Sequence, residues 1–314
     1  MTEAASAKQS QPESVSGAQK VNVRFIVPYF GKIPLWFPAF LVSCRYNPQY
    51  DFLILTDAPI PDISLNNVHF LRYSLQDLND LASDILGMEI KKDRYAICDL
   101  RPAFGLIFRH LVEGYQWWGH CDIDVVFGRL EIVFSPSVLQ TYDIVSSRRG
   151  AIAGHCTIYR NVDAVNHLFW DIPDIVNLLT CPTICRVNES HMGNLVRRRR
   201  DIRVCWRTQW IVDQPELDKT PYFWRWERGR ILNRLGHERA YLDFASWGSS
   251  IRRIDFNYCD HVYAFKITPR GIYSGARRHF LDRLHVPPLG CGCRVLYQRA
   301  RYVLTGRGRL SSNS

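Results

Sequence analysis

Short apolar, β-rich runs alternate with helical patterns through residues 21–147, and most of the runs end in proline or polar residues. The first two runs, 23–27 and 51–55, have the length and composition of buried strands. Over residues 99–115, apolar side chains recur at spacings of three and four, which predicts a helix. Strands that alternate with helices are typical of an α/β fold with a mostly parallel sheet between helical layers. The sequence therefore predicts a layered, Rossmann-type α/β domain.

The composition fits a folded chain. Apolar residues make up 46% and charged residues 22% of the 314 residues, which excludes wholesale disorder and low-complexity filaments. No stretch approaches about 18 uninterrupted apolar residues, so we expect no transmembrane helix. The first 20 residues have no apolar core, which argues against a secretory signal and predicts a disordered tail. Ten cysteines without such a signal predict reduced thiols and a cytoplasmic location.

Charge is unevenly distributed along the chain. Residues 186–314 carry 25 Lys and Arg against 11 Asp and Glu, whereas residues 1–185 carry 15 against 19. A basic half predicts an anionic partner, such as nucleotide phosphate, nucleic acid, lipid or an acidic polymer, unless the arginines only keep the surface soluble. Basic and apolar residues recur at helical spacing between Arg294 and Leu304. They predict either contact with an anionic membrane, hence a peripheral location at its inner face, or a helix docked on the main domain.

The segment Asp122-Ile123-Asp124 is the sharpest chemical feature of the chain. In an extended segment, residues two apart point to the same side, so the two carboxylates face one way. Carboxylate oxygens are the ligands that Mg²⁺ and Mn²⁺ prefer. A metal held there would bridge the two phosphates of a nucleotide-sugar and stabilise the leaving diphosphate. The pair also lies just beyond a predicted strand, where ligands of parallel sheets bind.

Four ordered blocks carry a family resemblance. Trp118–Gly128 reads W-G-H-C-D-I-D-V-V-F-G, and the other blocks are Ile26–Gly31, Cys98–Gly105 and Gly154–Asn161. Together they resemble a largely bacterial family whose members look like nucleotide-sugar glycosyltransferases of the GT-A type. The resemblance covers residues 21–161 and thins beyond residue 185. With the strand–helix alternation it implies a GT-A-like fold with three neighbouring strands: Val23–Val27, Asp51–Leu55 and Trp117–Gly119.

The resemblance implies roles for residues around the carboxylate pair. It places the loop after the first strand against the nucleotide, Asp57 at the base or ribose, and Arg101 at the base or a phosphate, with Asp99 holding Arg101. It gives Asp122 and Asp124 to the metal and the sugar diphosphate. The loop residues are Pro28, Tyr29, Phe30 and Gly31.

Beyond these blocks the resemblance gives weaker assignments. It implies that Gly154 and His155 line the sugar or acceptor side. Asp243 stands where the family has a histidine that is a candidate third metal ligand, so Asp243 either replaces it or marks an altered site. Independently of the resemblance, Glu189 in the segment 187–191 is a candidate catalytic base or acceptor contact. His155 is the other candidate catalytic residue.

Structural alternatives remain open for several of these residues. Asp57 could cap a turn before Pro59. Arg101 could simply start a helix, with Asp99 as its N-cap. His155 could be a buried histidine with its hydrogen bonds satisfied, and Glu189 a solvated loop acid.

The sequence predicts metal-assisted glycosyl transfer from a UDP- or GDP-linked sugar to a glycan or lipid-linked acceptor. A basic, aromatic nucleic-acid-binding module is one alternative, but its acids would repel phosphate unless a metal were bound. A second alternative is an interaction protein that has a glycosyltransferase-like fold but no activity. The aspartate at position 243, in place of the family's histidine, would indicate that loss. We expect a tail at 1–20, a nucleotide-sugar-binding domain at 21–185, an acceptor-side part of the same domain at 186–269, and a basic extension at 270–314.

Overall fold

The computed structural model describes residues 22–148, 150–212, 223–233, 235–248, 250–258 and 261–274. The tail predicted for residues 1–20 lies outside the described residues. So do most of the predicted 270–314 extension and its pattern between Arg294 and Leu304. No helix in the described part of the chain is long and apolar enough to cross a membrane.

Short strands and helices alternate along the described chain. The strands are β1 Val23–Pro28, β2 Tyr50–Thr56, β3 Val68–Arg72, β4 Trp117–Cys121, β5 Val125–Phe127, β6 Ile144–Ser146, β7 Cys156–Arg160, β8 Val204–Trp206, β9 Ile211–Val212, β10 Trp224–Glu227, β11 Arg230–Leu232, β12 Glu238–Arg239, β13 Tyr241–Asp243, β14 Arg253–Ile254, β15 Ala264–Thr268 and β16 Gly271–Ser274. The α-helices are α1 Phe37–Arg45, α2 Leu75–Leu86, α3 Phe104–Ile107, α4 Arg109–Val112, α5 Pro136–Thr141, α6 Asp163–Asn166, α7 Ile175–Thr180, α8 Gly193–Arg198 and α9 Ala245–Gly248. A π-helix spans Val187–Met192, and 3-10 helices span Ala96–Ala103, Leu130–Ile132, Leu168–Asp171 and Thr208–Trp210.

A seven-stranded sheet in the order β3-β2-β1-β4-β7-β6-β8 forms the centre of the fold. β7 runs antiparallel to both of its neighbours, and the other neighbouring strands pair in parallel. Val23 of β1 lies opposite Tyr50 of β2 on one side and Trp117 of β4 on the other. The predicted neighbourhood of these three strands is therefore confirmed, as is the layered, Rossmann-type α/β fold.

Alternate residues of the central strands fill two separate cores. In β1, Phe25 faces the core under α1, where it stacks on Phe52 with ring centroids 5.1 Å apart. Ile26 faces the opposite core, which contains α2 and Trp118. Both faces of the sheet are thus covered, which explains the near-continuous apolar runs. At Gly119 a Cβ atom would lie 2.7 Å from the Thr157 carbonyl, so the contact between β4 and β7 requires glycine.

The single helix predicted over residues 99–115 is wrong. The chain forms a 3-10 helix over Ala96–Ala103 and then the short helices α3 and α4. The helical segment begins at Ala96, which places Pro102 beyond the first turn, where an α-helix would lose the hydrogen bond of the missing amide hydrogen and clash with the preceding turn. The Phe104 amide instead donates to the Arg101 carbonyl, three residues back.

The chain beyond β7 returns to the central sheet and adds two smaller ones. β8 extends the central sheet beside β6. β13 lies between β5 and β9 in a three-stranded sheet, and β12-β11-β10-β15-β16-β14 form a six-stranded sheet. Because β5 begins directly after Asp124, its pairing with β13 brings a late part of the sequence to the carboxylate pair.

Candidate active site

The carboxyl ends of β1, β2 and β4 meet at one edge of the sheet. The loop Pro28–Gly31 follows β1, Asp57 follows β2, and Asp122 and Asp124 follow β4. The Gly31 amide donates to the Asp57 carboxylate at 2.7 Å, and Gly31 has a φ of 97°, which favours glycine. Asp57 therefore shapes the loop after β1. Its predicted contact with a base or ribose stays a prediction.

Arg101 connects Asp122 to the opposite wall of the site. Its Nη2 donates to Asp122, and its Nη1 donates to the Gly154 carbonyl at 2.7 Å. Burial alone would lower the pKa of Arg101, but the neighbouring Asp122 charge raises it above the ordinary arginine value. Arg101 is therefore a fixed cation, and it occupies one oxygen of Asp122.

Asp124 lies in a concentration of negative charge. Its main-chain carbonyl accepts from the Phe244 amide at 3.0 Å, and β13 places Asp243 opposite Val125, the next residue of the chain. Burial raises the pKa of the Asp124 carboxyl well above its ordinary value, and the charges of Asp122 and Asp243 raise it further. Its Oδ1 atom is buried and has no hydrogen-bond partner among the described residues. If the Asp124 carboxylate is charged in this position, it needs a neighbouring cation to offset the cost of burying the charge.

The carboxylates fit a metal only if substrate phosphates and water complete its coordination. Among the described residues, no group of three or more His, Cys, Asp or Glu side chains is arranged to hold a metal ion. Asp243 is buried and accepts from the Ala245 amide at 3.0 Å, so its role as a third ligand stays a prediction. Mg²⁺, however, is commonly held by one or two carboxylates together with substrate phosphates and water. The Oδ1 atom of Asp124, unpartnered within the described ranges, and the oxygen of Asp122 that Arg101 does not contact suit that mode.

The prediction that Asp99 holds Arg101 is wrong, as is the alternative that Asp99 caps a helix. Asp99 is completely buried and accepts hydrogen bonds from Lys92 Nζ at 3.3 Å and from the amides of Cys185 and Val187 at 2.6 and 2.9 Å. A 3-10 helix turns about 120° per residue, so Asp99 and Arg101 point to different sides. In this structure a nucleotide cannot reach Asp99, which instead anchors the start of the π-helix.

Glu189 is half-buried on that π-helix and is not a solvated loop acid. Its carboxylate lies against Gly154, where a Cβ atom would overlap it and would come within 3.0 Å of Arg101 Nη1. Burial raises the pKa of Glu189, while the charge of Arg101 opposes the rise. π-Helical turns are frequent at functional sites. Glu189, Arg101 and Asp122 thus line one cleft, which the sequence alone did not bring together.

His155 is also buried in this wall. Its Nδ1 lies 3.0 Å from the Tyr241 hydroxyl, which also bonds Ser147, while its Nε2 has no hydrogen-bond partner among the described residues. Burial lowers the pKa of His155 to about 3, helped by the charges of Arg148 and Arg101. A neutral imidazole can exchange hydrogen bonds with a sugar, but it is not a general acid near neutral pH.

Sequence reasoning missed two residues near the loop after β1. Tyr95 is 64% exposed, and the Arg94 guanidinium lies 4.9 Å from the centre of its ring. Arg94 Nη1 lies 3.3 Å from the position that a Cβ of Gly31 would take. Burial raises the pKa of Tyr29 in this loop, and the charges of Asp124 and Tyr95 raise it further. No local motif marks Arg94 and Tyr95, because they become neighbours of the loop only on folding.

Comparison with known families gives one match over most of the chain. A model of a family of unknown function (DUF6625) matches residues 25–241. The chain belongs to this family. The matched segment runs from β1 to β13. It includes all residues of the site described above except Asp243, Phe244 and Ala245, which follow it directly.

Comparison of this DUF6625 member with individual proteins gives matches among solved structures at low sequence identity. No curated protein matches it. Solved structures that match include a glycosyltransferase involved in glycosylation of the major capsid of PBCV-1, at 9% identity over 71% of this chain and 94% of that one, with a TM-score of 0.39. The galactosyltransferase LgtC matches at 10% identity over 76% and 88%, with a TM-score of 0.38. Mouse xyloside xylosyltransferase 1 matches at 10% identity over 58% and 84%, with a TM-score of 0.36. TM-scores below 0.5 do not establish a common fold, so we base the functional proposal on the residues of the site.

His155 should make the stability of this DUF6625 protein depend on pH. Its folded-state pKa of about 3 lies below the ordinary 6.5, so the unfolded chain takes up a proton that the folded protein excludes. The stabilising contribution is complete above about pH 6.5 and is lost as the pH falls toward 3. Between about pH 6 and 4, the free energy of unfolding of the wild type should fall relative to that of His155→Gln by about 1.4 kcal/mol per pH unit.

Urea unfolding of both proteins at several pH values measures this difference. His167→Gln, which replaces an exposed histidine, is the matched control and should show no such slope. A pH-independent difference between wild type and His155→Gln would mean that His155 is protonated in the folded protein.

Proposed function

We propose that this protein transfers a sugar from a nucleotide-sugar donor to a glycan or lipid-linked acceptor with the help of a divalent metal. The observation that carries the proposal is a buried oxygen of Asp124 that has no partner in the described part of the chain. It lies among the charges of Asp122 and Asp243, at the strand ends where α/β sheets bind ligands. A bare nucleic-acid phosphate would be repelled by these acids. A diphosphate that arrives with Mg²⁺ or Mn²⁺ would be held.

On the donor side, Asp122 and Asp124 hold the metal, which when bound neutralises the charge that develops on the leaving diphosphate. Arg101 orients Asp122 and contributes a second positive charge near the phosphates. The loop Pro28–Gly31, shaped by Asp57, receives the nucleotide, which is a uridine or guanosine diphosphate in this proposal. Arg94 and Tyr95, beside that loop, offer a cation and an aromatic face to the nucleotide.

On the acceptor side, Glu189 accepts the proton of the acceptor hydroxyl. The acceptor oxygen then bonds to the anomeric carbon as the bond from that carbon to the diphosphate oxygen breaks, and the nucleoside diphosphate leaves. The raised pKa of Glu189 makes it a better base than an ordinary glutamate. His155, neutral and with Nε2 unpartnered among the described residues, offers a hydrogen bond to a sugar hydroxyl.

The proposal extends to the organisation of the chain. Residues 21–185 bind the nucleotide-sugar, and residues 186–269 contribute the acceptor side through Glu189, while Asp243 from the same part of the chain lies at the metal-binding carboxylates. The protein acts in the cytoplasm and meets lipid-linked acceptors at the inner face of the membrane.

A thermal-shift screen of UDP, GDP and a single-stranded oligonucleotide, each with and without Mn²⁺, tests the proposal. UDP or GDP at about 100 times its Kd should raise the Tm by about 5 °C or more, and only when Mn²⁺ is present. Mn²⁺ alone and the nucleosides without phosphate are the controls. Stabilisation by the oligonucleotide without metal, and none by either diphosphate, would favour the nucleic-acid-binding alternative.

A further inference from the structure

Charge changes sign along the edge of the central sheet that carries the candidate active site. β4, β6 and β8 all point to this edge, because β7 runs antiparallel between β4 and β6 while β6 and β8 are parallel. The end of β4 carries Asp122 and Asp124. The end of β6 is followed by Arg148, and the end of β8 by Arg207. With neighbouring strands about 5 Å apart, the end of β6 lies about 10 Å along the edge from β4.

Arg148 lies on the wall of the site itself. It follows Ser147, whose hydroxyl bonds Tyr241, and Tyr241 in turn bonds His155. The charge of Arg148 is close enough to His155 to lower its pKa further. A positive charge therefore stands beside the buried histidine on the side away from the carboxylates.

Arg197 reaches the same region from α8. The atoms of its side chain come within 3.5 Å of the position that a Cβ of Gly150 would take. α8 is fixed there because Gly193, its first residue, packs so closely on Ala151 that a Cβ would lie 2.8 Å from the Ala151 Cα. Arg197 is exposed, and its guanidinium donates to the neutral side chain of Asn194.

Arg207 completes the group. Its amide donates to the Ser146 carbonyl at 2.9 Å, which fixes it at the end of β6. Its Nε is buried and has no hydrogen-bond partner among the described residues. A buried N–H of a charged side chain is costly to leave unpaired, so an external acceptor oxygen would stabilise it. We call Arg148, Arg197 and Arg207 the basic end of the edge.

We propose that the basic end binds an acidic group, a carboxylate or a phosphate, on the carbohydrate acceptor. The inference rests on the proposed glycosyl transfer, since the basic end lies about one to two sugar units from the carboxylates. Guanidinium groups recognise carboxylate and phosphate oxygens through paired hydrogen bonds. Glu189, whose carboxylate lies against Gly154 beside Arg101, takes the proton of the acceptor hydroxyl in the proposed transfer.

Calorimetric titration of the full chain with matched pairs of sugars tests the inference. A hyaluronan tetrasaccharide, which carries carboxylates, is compared with neutral chitotetraose, and mannose 6-phosphate is compared with mannose. The Kd of at least one acidic sugar should be lower than that of its neutral counterpart by a factor of about ten or more. One charge-assisted hydrogen bond contributes a difference of this size. The preference should shrink as salt is raised to about 0.15 M.

Arg148→Gln and Arg207→Gln should each reduce that preference by about tenfold. Arg109→Gln is the matched control. Arg109 is an exposed arginine on α4, which precedes the start of β4 and is therefore near the opposite edge of the sheet, so its replacement should leave the preference for acidic sugars unchanged. Circular dichroism melts confirm that the variants are folded, and if either fails to fold, Arg197→Gln takes its place.

Equal binding of acidic and neutral sugars, an undiminished preference in the variants, or no binding of either acidic sugar overturns the inference. So does binding to phosphatidylglycerol vesicles that depends on Arg148 and Arg207 in place of sugar binding, which would indicate a lipid surface. Binding of UDP or GDP with Mn²⁺, measured on the same wild-type sample, is a separate readout. Its presence without an acidic preference refutes only this inference, and its absence refutes the proposed glycosyl transfer.

Discussion

Asp124→Asn should weaken Mn²⁺-dependent binding of nucleoside diphosphate by about 100-fold or more and at the same time stabilise the metal-free protein. Asparagine keeps the shape of the side chain but removes the charge that would hold the cation. Titration calorimetry with Mn²⁺ and the diphosphate that stabilises the wild type measures the first effect.

The stabilisation follows from the sign of the pKa shift. Because the pKa of Asp124 is raised in the folded protein, ionising it at neutral pH costs stability, and this cost disappears as the pH falls toward the unfolded value near 3.9. Relief of repulsion by Asp122 and Asp243 should raise the free energy of unfolding by about 1 kcal/mol or more, or the Tm by about 2–4 °C. The difference in stability between Asp124→Asn and the wild type should vanish in acid. It should also vanish when Mn²⁺ and nucleotide are added to the wild type.

Asp80→Asn is the matched control for this experiment. Asp80 is an exposed acid on α2 that bonds Gln76. Its replacement should change neither nucleotide binding nor the Tm by more than a small amount. If Asp124→Asn instead lowered the Tm by many degrees, the Asp124 carboxylate would have a structural partner, and the proposed metal role would lose its basis.

Asp99→Asn should cause the largest loss of stability that a single polar substitution produces in this protein. Lys92 and Asp99 are a completely buried pair, and Lys92 Nζ also donates to the carbonyls of Leu178 and Cys181 at 3.0 and 2.6 Å. Removing the negative charge leaves a buried ammonium without a counter-ion, which costs about 3–5 kcal/mol. We expect the Tm to fall by about 6–20 °C.

A second variant separates the charge effect from the loss of shape. Lys92→Met together with Asp99→Asn removes both charges, and it should recover more than half of the loss, because a buried pair is often replaceable by apolar groups of similar volume. Urea unfolding of the single and double variants measures the free energies of unfolding that this comparison needs. A loss below about 1 kcal/mol in Asp99→Asn would show that Lys92 is neutral or reaches water.

The strands could be predicted from the sequence because they depend on local pattern, and the neighbourhood of β1, β2 and β4 was predicted from the strand–helix alternation together with the family resemblance. Runs of β-branched and aromatic residues of strand length mark β1, β2 and β4, and polar residues mark their ends. Since the carboxyl ends of neighbouring parallel strands meet, Asp57, Asp122 and Asp124 were expected at one edge, where they lie. The helix over 99–115 was mispredicted because the helical segment begins earlier, at Ala96, so that Pro102 lies inside it, and because it is interrupted again at Phe108.

Only the tertiary structure decided which side chains meet at the site. Arg101 bonds Asp122 rather than Asp99, His155 bonds Tyr241 across 86 residues of chain, and Asp243 stands beside Asp124 because β13 pairs with β5. A local pattern records which face of a strand is apolar, but it carries no information on which distant strand will cover that face. Local pattern was enough to predict the strands and the acids at their ends, and the order around β1 needed the family resemblance as well. The partners of those acids, and with them the pKa of Asp124 and the change of charge toward Arg148 and Arg207, depended on how the later strands packed against the earlier ones.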